Sequence, residues 1–453
     1  LSTEPWHGMR RLLSPPRAQE LQAFDLVHLH TVADWFNVPS WLETLPSGIG
    51  VVITLHDMWH FTGGCFLYRG CDRFIETCAP CPILKTPLNQ VLARDEQRRK
   101  SQAYRSRHVQ FVANSQWLAN LADRSAIVRA YGRARVIPPG IDTDVFRPQR
   151  KSQCRAELGI PTDAFVIAAG AASLTDTNKN IPWLLEQLEG LPELEDVLVV
   201  LAGEGTLKIP INLNVRLTGS VADRIKRAML FSAADVFVSA SFMETYGLTL
   251  IEAMSCGTPV VAFRTGGIPE AVPEQGGILC DQLDADTFKM AIQKLRHSEE
   301  LRNELGNVGS KLVAALNAKS RFAAAFARVY EACRYPGGDF DVSDLKKQYN
   351  LIVLRVSELP SEPVRKLICG NYRAKLAALW EGPFEFYVWL DSDAIVWGDF
   401  IPHVRTAVDF QVFWSEISIP AAAIEIPPWL SHFYFDPVKL QQFDPEFEWR
   451  GLA

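Results

Sequence analysis

"SFMETYGLTLIEAMSCGTPVVAF", residues 241–263, places Glu244 and Glu252 eight positions apart around an apolar run, then follows them with Gly-Thr-Pro and a short apolar segment. On one continuous helix eight residues turn through about 800°, so two carboxylates at this spacing point roughly 80° apart and share no face. A loop carrying Glu244 that enters a helix near Gly247 accounts for both, with Glu252 about one turn inside. The free N–H groups at a helix start attract anions, and a glycine there lets the backbone approach a phosphate. Carboxylates beside such a pocket accept hydrogen bonds from sugar hydroxyls. Two glutamates flanking a helix end therefore suit a sugar at Glu244, a ribose at Glu252 and a diphosphate between them.

The surrounding sequence supplies the frame. "FDLVHLH", "GVVITLH" and "VQFVANS" are strand-like runs that each end in a polar residue. Beyond the Pro- and Gly-marked crossing "RVIPPGIDTDVFRP" the alternation resumes: "AFVIAAG", the helical "NIPWLLEQLEGL", "DVLVVLAGEG", "NVRLTG", "RIKRAMLFSAA", "DVFVSAS", the helix at 248–256 and "PVVAF". Such β-α-β alternation predicts parallel sheets with helices on both faces and ligands at the carboxyl ends of the strands. The expected α/β architecture is two doubly wound, Rossmann-like domains facing across a cleft, 1–140 and 141–336. "RFAAAFARVYEACRY" reads as a last helix, broken by "PGGDFDVSD".

Composition excludes several classes. The chain has 453 residues, 48% hydrophobic and 22% charged, the balance of an ordinary soluble globular protein. A net charge of −6 without a basic cluster argues against a nucleic-acid partner. The longest apolar stretch, "AFVIAAGAASL", is shorter than the ~20 residues a bilayer span needs. No signal peptide is visible, so the scattered cysteines read as reduced thiols of a cytoplasmic protein. The chain lacks an initiator Met and reads as a fragment.

Taken together, the E-x7-E spacing with "GL", "EAM", "CGTPVVA" and "GGIPE" closely resembles glycosyltransferase family 4, retaining enzymes of GT-B fold. "LHDMWHFTGG", "IPPGIDTDVF" and "LAGEG" fit the same family in order, over about residues 21–335. The likeness is strongest to the branch that builds bacterial capsule, exopolysaccharide and lipopolysaccharide. It implies a hexosyltransferase that takes a nucleotide-diphosphate sugar as donor and a glycan or lipid-linked acceptor. The implied location is cytoplasmic, either free or peripheral at the inner face of the cell membrane. The resemblance makes Glu252 the ribose ligand, Glu244 the donor-sugar contact, His56 the histidine over the donor near the transferring carbon, and Lys179 the neutraliser of the diphosphate. It also places Gly203, Gly205, Gly247, Leu248, Thr249, Gly266 and Gly267 around the donor, and it requires no cofactor for this module. His28 and His30 read as structural. Where the family carries an arginine some six residues before the lysine this chain has "AAS", which leaves Arg224 or Arg264 as substitutes. "PPG" likewise replaces the commoner Asn-Gly at 139–140. Only about 20 residues precede "FDLVHLH", so the first domain is expected to be truncated.

Two further signals stand apart. Cys65, Cys71, Cys78 and Cys81 follow a C-x5-C-x6-C-x2-C spacing, which suits a tetrahedral zinc, with reduced thiols and disulfides as alternatives. In "EGPFEFYVWLDSDAIVWGD" a hydrophobic strand ending in Asp391-Ser392-Asp393 resembles the D-x-D of GT-A glycosyltransferases, where carboxylates hold Mn²⁺ or Mg²⁺ on the donor diphosphate. Residues 337–453 are thus expected to be a partial GT-A-like module. The competing readings are a nucleotide-sugar-binding module without activity and a GT-B-fold nucleotide-sugar epimerase.

Overall fold

The structure, a computed structural model, describes residues 24–334 except 31, 32, 34–36, 47, 85 and 86, together with Leu21 and two strands at 385–388 and 396–399. The first sheet has four parallel strands in the order β1 (Leu26–Leu29), β2 (Gly50–Leu55), β3 (Val109–Ala113) and β4 (Arg135–Val136). All six residues of β2, GVVITL, are buried, as a central strand covered on both faces requires. Helices α1 (Val38–Thr44), α2 (Pro87–Arg105) and α3 (Gln116–Arg124) alternate with these strands.

After α4 (Lys151–Leu158) the second sheet begins, with six parallel strands in the order β10-β9-β8-β5-β6-β7. The strands are β5 (Phe165–Ser173), β6 (Val197–Glu204), β7 (Val215–Gly219), β8 (Val236–Ser239), β9 (Val260–Phe263) and β10 (Gly277–Cys280). The helices between them are α5 (Ile181–Glu189), α6 (Arg224–Ala233), α7 (Leu248–Ser255) and α8 (Ile268–Ala271). Helix α5 buries Ile181, Leu184, Leu185 and Leu188, an i, i+3, i+4, i+7 stripe against the sheet. The chain runs outward from β5 through β6 and β7, then returns to β8 on the other side of β5. The strand order therefore reverses between β5 and β8, where a crevice opens at the carboxyl ends.

Helices α9 (Ala285–His297) and α10 (Glu299–Leu316) complete the second domain, and α11 (Lys319–Arg334) leaves it. Phe326, Val329 and Cys333 of α11 form one core with Val52, Val112 and Ile137 of the first domain. The boundary drawn from sequence, which kept this helix within 141–336, needs that correction: an amphipathic pattern reveals an apolar face but not the sheet that receives it. The chain consequently passes between the domains twice, and the two passages are bonded together. Ile141 N–H donates to the Asn317 carbonyl at 2.7 Å, and Asn317 Nδ2 donates to the Pro139 carbonyl at 2.9 Å.

Strands β11 (Glu385–Val388) and β12 (Val396–Asp399) pair antiparallel, Glu385 opposite Asp399. Asp391 and Asp393, and the rest of the module expected at 337–453, lie outside the described residues.

Candidate active site

Three loops meet at the reversal point. The loop after β8 is held by the loop after β5: Phe242 N–H donates to the Asn178 carbonyl and Asn178 Nδ2 donates to the Met243 carbonyl, both at 2.8 Å. The loop after β9 closes on the same segment. Gly267 N–H donates to the Glu244 carbonyl at 2.9 Å, and a Cβ on Gly266 or Gly267 would fall 2.0 or 2.1 Å from the Glu244 or Thr245 carbonyl oxygen. These two glycines, placed around the donor by the family resemblance, lie in the structure against the backbone that carries Glu244.

Gly247 adopts a left-handed conformation (φ 101°) at the start of α7 and offers no side-chain cap, so the first N–H groups of Leu248 and Thr249 sit at an uncapped helix end. Glu244 and Glu252 stand on either side of it, and each has a cation. Lys179 Nζ lies 2.6 Å from Glu244 Oε1, while Arg227 of α6 lies 3.0 Å from Glu252 Oε1. Burial pushes the Glu252 carboxyl above its ordinary range, and Arg227 and Arg224 pull it back. Arg224 pairs with Asp142 at 3.1 Å, whereas Arg264 reaches toward the exposed Glu274 at 3.9 Å. The positive charge at the Glu252 end thus comes from Arg224 and Arg227. Arg227 was not singled out from sequence, because its spacing in "RIKRAML" is that of any basic helix face. Gly203 and Gly205 lie at the end of β6 and just beyond it, next to the β5 loop: Leu174 N–H donates to the Glu204 carbonyl at 2.7 Å.

The first domain brings the carboxyl ends of β1, β2 and β3 to the same cleft. Leu55 pairs with Ala113, so His56 and Asn114 leave the sheet side by side. Asn114 Nδ2 donates to Thr245 Oγ1 at 3.0 Å, and Glu270 of α8 accepts from the Gln116 and Trp117 N–H groups at 2.6 and 2.7 Å. Glu270 thereby caps α3 across the cleft. His56 Nε2 lies 2.8 Å from His30 Nδ1, so the structure sets His30 directly against His56. His60, fully buried, bridges the Tyr104 hydroxyl (3.0 Å) and the His30 carbonyl (2.8 Å). Burial drives its imidazole down to about 3.

The cysteine loop lies directly after this point. Cys65, Cys71, Cys78 and Cys81 are free thiols; Cys78 and Cys81 are buried in the first core, Cys65 and Cys71 only half-buried. Cys78 Sγ accepts from the Gly63 N–H at 3.1 Å. Burial pushes Cys65 up to about 12 and Cys78 up to about 11. Among the described residues no three His, Cys, Asp or Glu side chains stand so as to hold a metal ion. Cys78 and Cys81 take part in core packing while Cys65 and Cys71 stay at its rim, and the other three thiols lie near enough to Cys65 to push it up further. Lys100, fully buried, underlies the start of this loop: its Nζ donates to the Trp59 and Thr62 carbonyls at 2.6 and 3.2 Å and lies 3.6 Å above the Trp59 ring.

Residues 3–145 match the family model described as Glycosyltransferase Family 4, and residues 165–298 match that described as Glycosyl transferases group 1. A D-inositol 3-phosphate glycosyltransferase of Segniliparus rotundus is 33% identical over 187 residues, 38% of this chain and 41% of that protein. The chain spans about half the length of the curated relatives it matches. Sucrose-phosphate synthase from Thermosynechococcus elongatus superposes with a TM-score of 0.52 at 24% identity, covering 68% of this chain and 73% of that one. The Anabaena protein HepE in complex with UDP-glucose gives 0.52 at 18% identity, covering 70% and 80%. Residues 3–145 thus match a glycosyltransferase family 4 domain and residues 165–298 a glycosyl transferases group 1 domain, and the described residues of the two form a GT-B fold.

Proposed function

We propose that the chain is a retaining glycosyltransferase that moves a sugar from a nucleotide-diphosphate sugar to a glycan or lipid-linked acceptor, in the synthesis of a bacterial surface polysaccharide. The observation that carries this reading is the meeting of Lys179–Glu244 and Arg227–Glu252 around the uncapped start of α7, at the point where the strand order reverses. The diphosphate would lie on the α7 N–H groups, the ribose hydroxyls on Glu252, and the donor sugar between Glu244 and His56. Lys179, with the helix end, would stabilise charge as the nucleoside diphosphate departs. The complex of HepE with UDP-glucose supports a nucleotide-sugar as donor. Retention is compatible with front-face attack by the acceptor or with double displacement. Among the described residues no helix is long and apolar enough to cross a membrane. Residues 337–453 we read as a second, GT-A-like module in which Asp391 and Asp393 would hold Mn²⁺ or Mg²⁺.

The test is to screen the full-length protein against a panel of nucleotide-sugars for binding and for hydrolysis or transfer, with NMR assignment of the product anomer. Transfer with retained configuration is expected. Tight nucleotide binding without turnover on any donor and acceptor would replace this reading with that of a binding module.

A further inference from the structure

Resting on the reading above, we propose that His30 is a positioning residue for His56, fixing the imidazole that overhangs the donor in one orientation and one proton arrangement. The geometry is a chain of contacts anchored at both ends. His28 is held between the Tyr330 hydroxyl (2.9 Å from Nδ1) and Thr54 Oγ1 (2.7 Å from Nε2). The His30 ring lies against it, centroids 4.1 Å apart, and presents Nδ1 to His56 Nε2 at 2.8 Å.

The backbone of His30 is fixed independently. A carbonyl oxygen only accepts, so His60 Nε2 must carry the proton toward the His30 carbonyl. A neutral His60 then accepts from the Tyr104 hydroxyl at Nδ1. With ring and backbone both held, His30 has little freedom to swing, and a single proton lies between the two facing imidazole nitrogens while both rings are neutral. Whichever ring donates, the tautomer of His56 is coupled to that of His30. Such coupling orders a group that must meet the reacting carbon within a fraction of an ångström, because misplacement by about 1 Å can cost on the order of 100-fold in rate.

The test compares His30→Leu, His30→Asn and wild type in the full-length protein, with UDP-glucose as probe. The amide of His30→Asn reaches the position of Nδ1 and keeps a hydrogen bond to His56. His30→Leu is expected to lower kcat for UDP-glucose hydrolysis by roughly 10- to 100-fold while KM and UDP affinity stay within about twofold. His30→Asn should recover most of that loss. In parallel, ¹⁵N imidazole spectra should show one His56 tautomer in wild type and in His30→Asn, and a mixture in His30→Leu. An unchanged kcat in His30→Leu, or a common fall of kcat, UDP affinity and thermal stability that His30→Asn does not repair, would overturn the proposal. If wild type neither binds nor hydrolyses UDP-glucose, that result counts against the choice of donor. The spectra then decide on their own: a His56 tautomer indifferent to His30 rejects the coupling, and one that follows His30 sustains it.

Discussion

At the scale of single residues, the carboxylates and histidines carry the sharpest consequences. Glu252 is enclosed enough for burial to push its carboxyl upward while Arg227 keeps it paired. Glu252→Ala is expected to weaken UDP binding by about 1–3 kcal/mol, roughly 5- to 150-fold in Kd by calorimetry. An unaltered Kd would remove Glu252 from the ribose. Lys179→Ala should reduce turnover far more than donor affinity, because its charge matters most as the leaving group departs. Steady-state kinetics on the preferred donor would show this as a fall in kcat at nearly constant KM. His60 makes a prediction about stability. Its folded-state value of about 3 lies below the 6.5 of an unperturbed imidazole, so only the unfolded chain gains this proton as pH drops from 6.5 toward 3. Stability should therefore decline through that window, by about 1.4 kcal/mol per pH unit from this group. Denaturant titrations at pH 7, 5.5 and 4.5 should show a shallower decline for His60→Gln than for wild type; parallel profiles would contradict the assignment.

At the scale of elements, α3 has two caps of different origin. Ser115 accepts from Leu118 N–H within the same domain, while Glu270 arrives from the other domain to take the Gln116 and Trp117 N–H groups. Glu270→Ala should cost about 1 kcal/mol and speed amide exchange at residues 116 and 117 several-fold, leaving the interior of α3 protected. Uniform exchange along α3 in both proteins would show that the contact is not holding the domains together. The elements themselves were legible because short continuous apolar runs alternate with amphipathic stripes of period 3.6, and Gly247 marked the start of α7. The partners of those elements were not legible. "GGIPE" draws the eye to its glycines, yet Glu270 caps a helix that begins 154 positions earlier. His30 looks like any histidine at a strand end until β1 and β2 align and set it against His56.

At the scale of the whole molecule, two chemistries are expected to be separable by metal. On the proposed reading the GT-B portion would present Lys179 and a helix end to the diphosphate, whereas Asp391 and Asp393 would repel each other and a donor's phosphates unless a cation lay between them. In the full-length protein, chelator should abolish transfer by the C-terminal module and spare the other activity. Asp393→Asn should imitate chelator, and Glu244→Gln should do the reverse; loss of both activities together would refute the division. A different consequence follows from the paired passages at Pro139–Ile141 and Asn317–Ala318, which are bonded to one another and, through Asn317 Nδ2, to the Tyr246 hydroxyl beside the donor loop at 2.9 Å. Two tethers side by side act as a door hung on two pins: the lobes can swing along one arc, but they resist torsion and sideways slip. A protease that severs one tether should leave both lobes eluting as a single particle, and only a second cut should set them adrift.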